Sequence, residues 1–251
     1  MIELDRLCKT YGSFKAVDEL SLTVARGEIF GFLGPNGAGK TTTIRLMMGL
    51  LLPSSGRVRL GGFDLAEQPI LAKRLAGFVP DRPFLYEKLT ASEMLRFCGD
   101  LYEVEPRVRD ERAGKLLEIF DLVSWADELI ESFSHGMKQR LAFAAALLHE
   151  PEILVVDEPM VGMDPRGARL LRSLLKSLAA GGKTLFLSTH SLEVAEALCD
   201  RIGILQSGRL IAVGTLDELR RRAGDAEGLE EVFLKLTGAE DLVDVIRALR
   251  A

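Results

Sequence analysis

Gly34, Gly39, Lys40 and Thr41 stand at the spacing G-x-x-x-x-G-K-[ST], with Pro35, Asn36, Gly37 and Ala38 between them and Thr42 following. Each residue type has a task at a polyphosphate. Glycines let the backbone turn its N–H groups inward, the lysine reaches β and γ phosphates, and the threonine hydroxyl is a ligand for Mg2+. A second constellation lies downstream, where the apolar run Ile153-Leu154-Val155-Val156 ends in Asp157-Glu158-Pro159. Carboxylates at the C-terminal end of a buried strand lie where open α/β sheets bind ligands. Asp157 then joins the Mg2+ shell, and Glu158 polarises an attacking water. The first motif's bland alternative is a Gly-rich turn before a helix, which its strand and helix context disfavours, and the second on its own also reads as an acidic turn before a proline; together they predict nucleoside triphosphate hydrolysis.

Elements that position these groups follow from the apolar pattern. Short β-like runs alternate with longer helical ones, which predicts an α/β fold with helices against a mostly parallel sheet. Residues 28–33 form the strand that feeds the glycine-rich loop, and 40–50 the helix that leaves it. Stretches 2–9, 20–25 and 58–60 read as strands of an N-terminal antiparallel element. Gly77-Phe78-Val79-Pro80 is a further buried strand, after which 91–130 turns helical with a break at Pro106, the centre of a helical insertion spanning about 83–150. Strands at 153–157, 184–188, 202–205 and 209–213 follow, with helices after Pro165 and Ser191 and a hairpin signal at Ser207-Gly208. The catalytic unit is therefore expected over 1–222. Residues 223–251 form a tail, with a polar linker at 224–228 and one or two amphipathic helices.

The 251 residues are 47% apolar and 27% charged, enough for a sizeable core, and the net charge of -5 supplies no basic field for nucleic acid. Cys8, Cys98 and Cys199 are too scattered for a disulfide framework or metal cluster, which fits a reducing cytosol. Residues 1–9 carry no secretory pattern, and the apolar run 141–148 is far short of a bilayer span. Action at a membrane then requires another chain to cross it.

With these residues in place, the chain resembles the nucleotide-binding subunits of ABC transporters over nearly its whole length. Phe133-Ser134-His135-Gly136-Met137 resembles the family's signature loop, normally Leu-Ser-Gly-Gly-Gln. Ser134 and the free N–H groups at the start of the next helix make a second anion site. The resemblance implies that Ser134 and Gly136 serve the γ phosphate held by a second ATP-binding subunit. As a helix N-cap, Ser134 is also worth about 1 kcal/mol to stability. Met163-Asp164-Pro165 resembles the D-loop, with Asp164 at the dimer interface or simply capping the next helix; His190 resembles the switch histidine at the γ phosphate. His149 has no such match and reads as structural. Tyr11 matches the aromatic that stacks on adenine, although a tyrosine there can equally pack on the core.

Two segments depart from the family pattern. Asp81 stands where the family carries a glutamine that binds Mg2+ and relays to the membrane subunit; it is either a hard metal ligand or a turn residue bonding its own backbone. His135 replaces a glycine and Met137 the glutamine of the signature, and His135 is expected to tolerate a positive φ.

The resemblance implies a P-loop NTPase (RecA-like) core that binds ATP and Mg2+, closes as a dimer and powers a separate integral membrane permease from the cytoplasmic face of the cell membrane. Residues 229–238 resemble the tail of exporter-type subunits, and 86–90 the segment that meets the permease. The competing reading is a soluble ABC ATPase acting in DNA repair or translation. Such proteins carry tandem cassettes or long coiled-coil insertions, and this sequence has neither.

Overall fold

The structure, a computed structural model, describes residues 1–224 and 228–238. Two sheets divide the work, and strands and helices are numbered in chain order. β1 (Ile2–Tyr11), β2 (Phe14–Val24), β4 (Ser55–Leu60) and β5 (Phe63–Asp64) form an antiparallel sheet in the order β2-β1-β4-β5. The central sheet takes β3 (Ile29–Leu33), β6 (Ala76–Val79), β7 (Ile153–Asp157), β8 (Thr184–Thr189), β9 (Arg201–Gln206) and β10 (Arg209–Gly214) in the order β10-β9-β3-β8-β7-β6. Pairing is parallel except for the β9–β10 hairpin.

β3, β7 and β8 are buried along their whole length, as expected for parallel strands covered on both faces. Their side chains alternate between two cores. Ile29, Leu154, Val156, Leu185 and Leu187 face a cluster under the helices, whereas Phe30, Phe32, Ile153, Val155 and Phe186 face the antiparallel sheet. This period of two locks the register, so the C-terminal strand ends line up: Leu33 lies beside Thr189, and Asp157 beside Ser188.

α1 (Lys40–Met47) leaves the glycine-rich loop and stops short of the expected residue 50, because Gly49 turns to φ +61 just beyond it. α2 (Pro69–Arg74) is short and has no counterpart in the sequence expectation. Between β6 and β7 the chain is helical. α3 (Ala91–Leu101) begins at a capping box of Thr90 and Glu93. α4 (Pro106–Ile119) begins with Pro106 at its first turn and Glu105 accepting the N–H groups of Arg107 and Val108. Helix is not continuous over 91–130: residues 120–134 are turns and two 3-10 segments, Val123–Trp125 and Ile130–Ser132. α5 (His135–Leu147) and α6 (Pro165–Ala180) complete this side.

A third core joins α7 (Leu192–Leu198), α8 (Leu216–Arg222) and α9 (Leu229–Leu236) to the edge of the central sheet. Leu229 and Val232 are buried with Ala195, Ile202 and Ile204, so the first tail helix packs into the body of the fold. Linker residues 225–227 and the last part of the tail, 239–251, lie outside the described residues. No helix among the described residues is long and apolar enough to cross a membrane.

Candidate nucleotide and metal site

A cavity of about 370 Å³ opens at the C-terminal end of the central sheet. Asn36, Gly37, Gly39, Lys40, Thr41 and Thr42 line one wall, Asp81, Asp157 and Glu158 another, and Phe14 and Ala16 a third. Gly34, Pro35 and Ala38 are not among the residues that line it. At Gly34 a Cβ would sit 2.5 Å from the Leu205 carbonyl, and Gly39 holds φ +108. Only glycine meets both demands. The Lys40 ammonium donates to the carbonyls of Gly34 (2.7 Å) and Pro35 (3.2 Å). Burial pushes its pKa down, against the opposing pull of the Glu158 and Asp157 charges.

Asp157 is 2% exposed. Its carboxylate accepts from the Thr41 hydroxyl (3.0 Å) and from the Ser188 hydroxyl. Burial raises its pKa, the two hydroxyls oppose that shift, and the Asp81 and Glu158 charges add to it. A carboxylate so placed gains from a cation. Thr41, Asp157 and Asp81 offer hard oxygen donors on one cavity, which suits Mg2+, an ion bound by one or two carboxylates together with substrate phosphates. No group of three or more His, Cys, Asp or Glu among the described residues could cage a metal alone. Asp81 also accepts the Arg82 backbone N–H at 2.8 Å, so the turn bond and the cavity position coexist.

Glu158 adopts φ +53, a strained conformation for a non-glycine residue that costs on the order of 1–3 kcal/mol. Its backbone N–H bonds the Ser188 carbonyl (3.0 Å), which holds the turn. One carboxylate oxygen lies 2.9 Å from His190 Nδ1, and the other accepts from the Thr189 hydroxyl at 3.3 Å. A carboxylate fixed on two sides and facing the phosphate loop can receive a proton from water.

Other expected residues lie elsewhere. Ser134 caps α5 by accepting the Met137 N–H (3.3 Å), Gly136 sits in the first helical turn, and neither lines this cavity. The expected positive φ at His135 is corrected: His135 is the first residue of α5 and is absent from the positive-φ conformations, so the signature loop needs no glycine there. Its ring instead occupies the space that a Cβ on Gly162 would need. Asp164 caps α6 through the Gly167 N–H (2.6 Å). Tyr11 is 51% exposed, with the Lys9 ammonium 5.2 Å from its ring, and does not line the cavity. Its register partner across the hairpin, Phe14, does. Phe14, Ala16, Ser188 and Thr189 are residues at the site to which the sequence reading gave no role.

A family model described as ABC transporter matches residues 17–161. The chain belongs to the ABC transporter family. Among ABC relatives, the linearmycin resistance ATP-binding protein LnrL of Bacillus subtilis is 40% identical over 241 residues, covering 93% of this chain and 78% of that one. Nod factor export ATP-binding protein I of Paraburkholderia xenovorans is 42% identical over 213 residues, covering 85% and 70%. A solved ATP-binding subunit of an ABC transporter superposes with a TM-score of 0.90 at 36% identity, over 94% of this chain and 99% of that one. The ATP-binding cassette MJ0796, in a dimeric post-hydrolysis state bound to ADP and Pi, superposes with a TM-score of 0.78 at 28% identity, over 86% and 98%. This ABC chain is thus an ATP-binding, ATP-hydrolysing transporter subunit.

Proposed function

We propose that this subunit drives a separate integral membrane permease in the export direction, by closing and reopening as a pair of ATP-binding subunits at the cytoplasmic face of the membrane. The observation that carries its chemistry is Glu158, held by His190 and Thr189 beside the Thr41–Asp157 pair. Backbone N–H groups of 37–42 and Lys40 hold the triphosphate. Thr41 and Asp157, with Asp81 nearby, would hold Mg2+, which would supply charge neutralisation for the triphosphate. Glu158 takes the proton of the attacking water, and His190 fixes the carboxylate that does so.

Pairing of two cassettes is supported by the dimeric form of MJ0796 and by the position of Ser134 and Gly136 outside their own cavity. Closure by ATP is then a population shift set by the nucleotide's different affinity for the two states. Export is supported by the names of the resistance and Nod factor export relatives. A permease contact is supported by an exposed aromatic surface: Phe84 is 82% exposed, and Tyr86 packs edge-on to Phe97 with ring centroids 5.4 Å apart. A cassette serving DNA repair or translation is not favoured, since these relatives are named for resistance and export and the net charge is -5. Isolation of the tagged chain from native membranes is expected to bring down a multi-helix membrane protein in stoichiometric amount. Recovery of ribosomes or nucleic acid in its place would overturn the transport reading.

The base is assigned to Phe14, with Tyr11 as the outer neighbour. Directly opposed residues of an antiparallel pair share a face, and of these two only Phe14 reaches the cavity. Removing a stacking aromatic costs about 1–3 kcal/mol. Phe14→Ala is therefore expected to weaken ATP binding by roughly 5- to 150-fold while leaving tripolyphosphate binding unchanged. Titration calorimetry with both ligands checks this. An undiminished ATP affinity in Phe14→Ala beside a large loss in Tyr11→Ala would return the base to Tyr11.

A further inference from the structure

A phosphate cradle needs its N–H groups turned inward, so carbonyls of the same peptides turn outward and must find partners in the protein. Ala38 supplies one such carbonyl, and it accepts the Gly208 N–H at 2.8 Å. Gly208 belongs to the tip of the β9–β10 hairpin, far from the loop in sequence. Ser207 and Gly208, at φ +48 and +79, form a two-residue turn between the paired Gln206 and Arg209. Positive φ at both central positions is the tight hairpin turn whose twist suits its strands.

That tip is gripped from β2. The Gly208 carbonyl accepts the Asp18 N–H at 2.9 Å. The Asp18 carboxylate, 8% exposed, takes Arg209 through Nε (2.8 Å) and Nη2 (2.6 Å) on one oxygen and the Lys15 ammonium (2.9 Å) on the other. One residue therefore holds the hairpin turn by its main chain and by its side chain. The tip is also closely packed against β2. A Cβ on Gly208 would lie 2.9 Å from the Ala16 carbonyl, and a Cβ on Gly39 would collide with that same oxygen. Phosphate loop, Ala16 and hairpin tip are in direct succession.

We infer that Asp18 is a positioning residue for the ATP phosphates: it pins the Gly208 tip that keeps the Ala38 carbonyl turned out and the cradle N–H groups turned in. This rests on the reading of residues 34–41 as the phosphate cradle. It gives the Asp18–Arg209 pair, outside the glycine-rich motif, a share in nucleotide affinity. The pair touches no phosphate itself, and its effect belongs to binding rather than to the chemical step.

The test uses the full chain. Affinities for ATP and for tripolyphosphate are measured for wild type, Asp18→Asn, Arg209→Gln and the double variant, together with kcat at saturating ATP and urea midpoints. Asp18→Asn is expected to lose about tenfold in affinity for both ligands, the equivalent of one charged hydrogen bond, with kcat within about twofold. The double variant is expected to be no worse than the poorer single one, as for groups that act as a unit. If Asp18→Asn fails to fold, Arg209→Lys carries the test, because it keeps the charge and loses the planar fork. Unchanged affinities in folded variants, a loss confined to kcat, or a loss for ATP without one for tripolyphosphate would each overturn the inference. Failure of the wild type to bind tripolyphosphate would instead overturn the cradle reading.

Discussion

Glu158→Gln is expected to bind MgATP as the wild type does, to lose turnover by about 10²- to 10⁴-fold, and to accumulate as an ATP-bound dimer. The size is that of a positioned general base. Glutamine preserves the side-chain volume and can still accept from the Thr189 hydroxyl, so the turn at φ +53 keeps its supports. What it cannot do is take a proton from water. The Glu158 charge also helps to raise the pKa of the buried Asp157, so removing it relieves repulsion around the metal ligands and does not weaken nucleotide binding. Phosphate release in a single turnover, read with dimer formation by light scattering, separates binding from chemistry. A variant that releases phosphate at the wild-type rate would take the proton away from Glu158 and leave His190 as the first group to examine.

The residues that carry this chemistry were legible because their types are rare in combination and their strands announce themselves. A glycine-rich loop between a buried run and a helix, and two carboxylates ending another buried run, need no tertiary information. Ser188 and Thr189 were visible as the end of a strand, but not as partners of Asp157 and Glu158. Their contact depends on β8 lying between β3 and β7, a non-sequential neighbourhood that no local pattern encodes. Phe14 is a similar case, since which strand of the β1–β2 hairpin lies beside the glycine-rich loop is set by the tertiary fold. His135 misled because a glycine in the family pattern suggested a positive φ, whereas the α5 N-terminus needs only a helical residue after the Ser134 cap. α8 was missed although Thr215 and Glu218 spell out its capping box, a signal that lies plainly in the sequence.

His149, read from the sequence as structural, sets an expected acid limit to the stability of the fold. Its ring stacks on Tyr102, with centroids 3.7 Å apart and planes within 11°. Burial, with the Lys183 and Arg112 charges acting in the same direction, pushes its pKa down to about 4. Unfolded histidine titrates near 6.5, so between these values the unfolded chain holds a proton that the folded chain excludes. Stability is therefore unaffected by this group above about pH 6.5, falls as pH drops toward 4, and loses nothing further below that. The loss across the window is on the order of 3 kcal/mol, a large share of the roughly 5–15 kcal/mol typical of a folded domain. Asp157 acts in the opposite sense, since a carboxyl whose pKa is raised by burial favours the folded state as it takes up its proton. The two contributions are separated by His149→Phe, which keeps an aromatic against Tyr102 and removes the titrating group. Urea midpoints at pH 8, 6, 5 and 4.5 are expected to decline steeply in the wild type below pH 6.5 and much less in the variant, with little difference at pH 8. Parallel declines in the two proteins would mean that carboxylate partners, and not the buried imidazole, govern the acid limb.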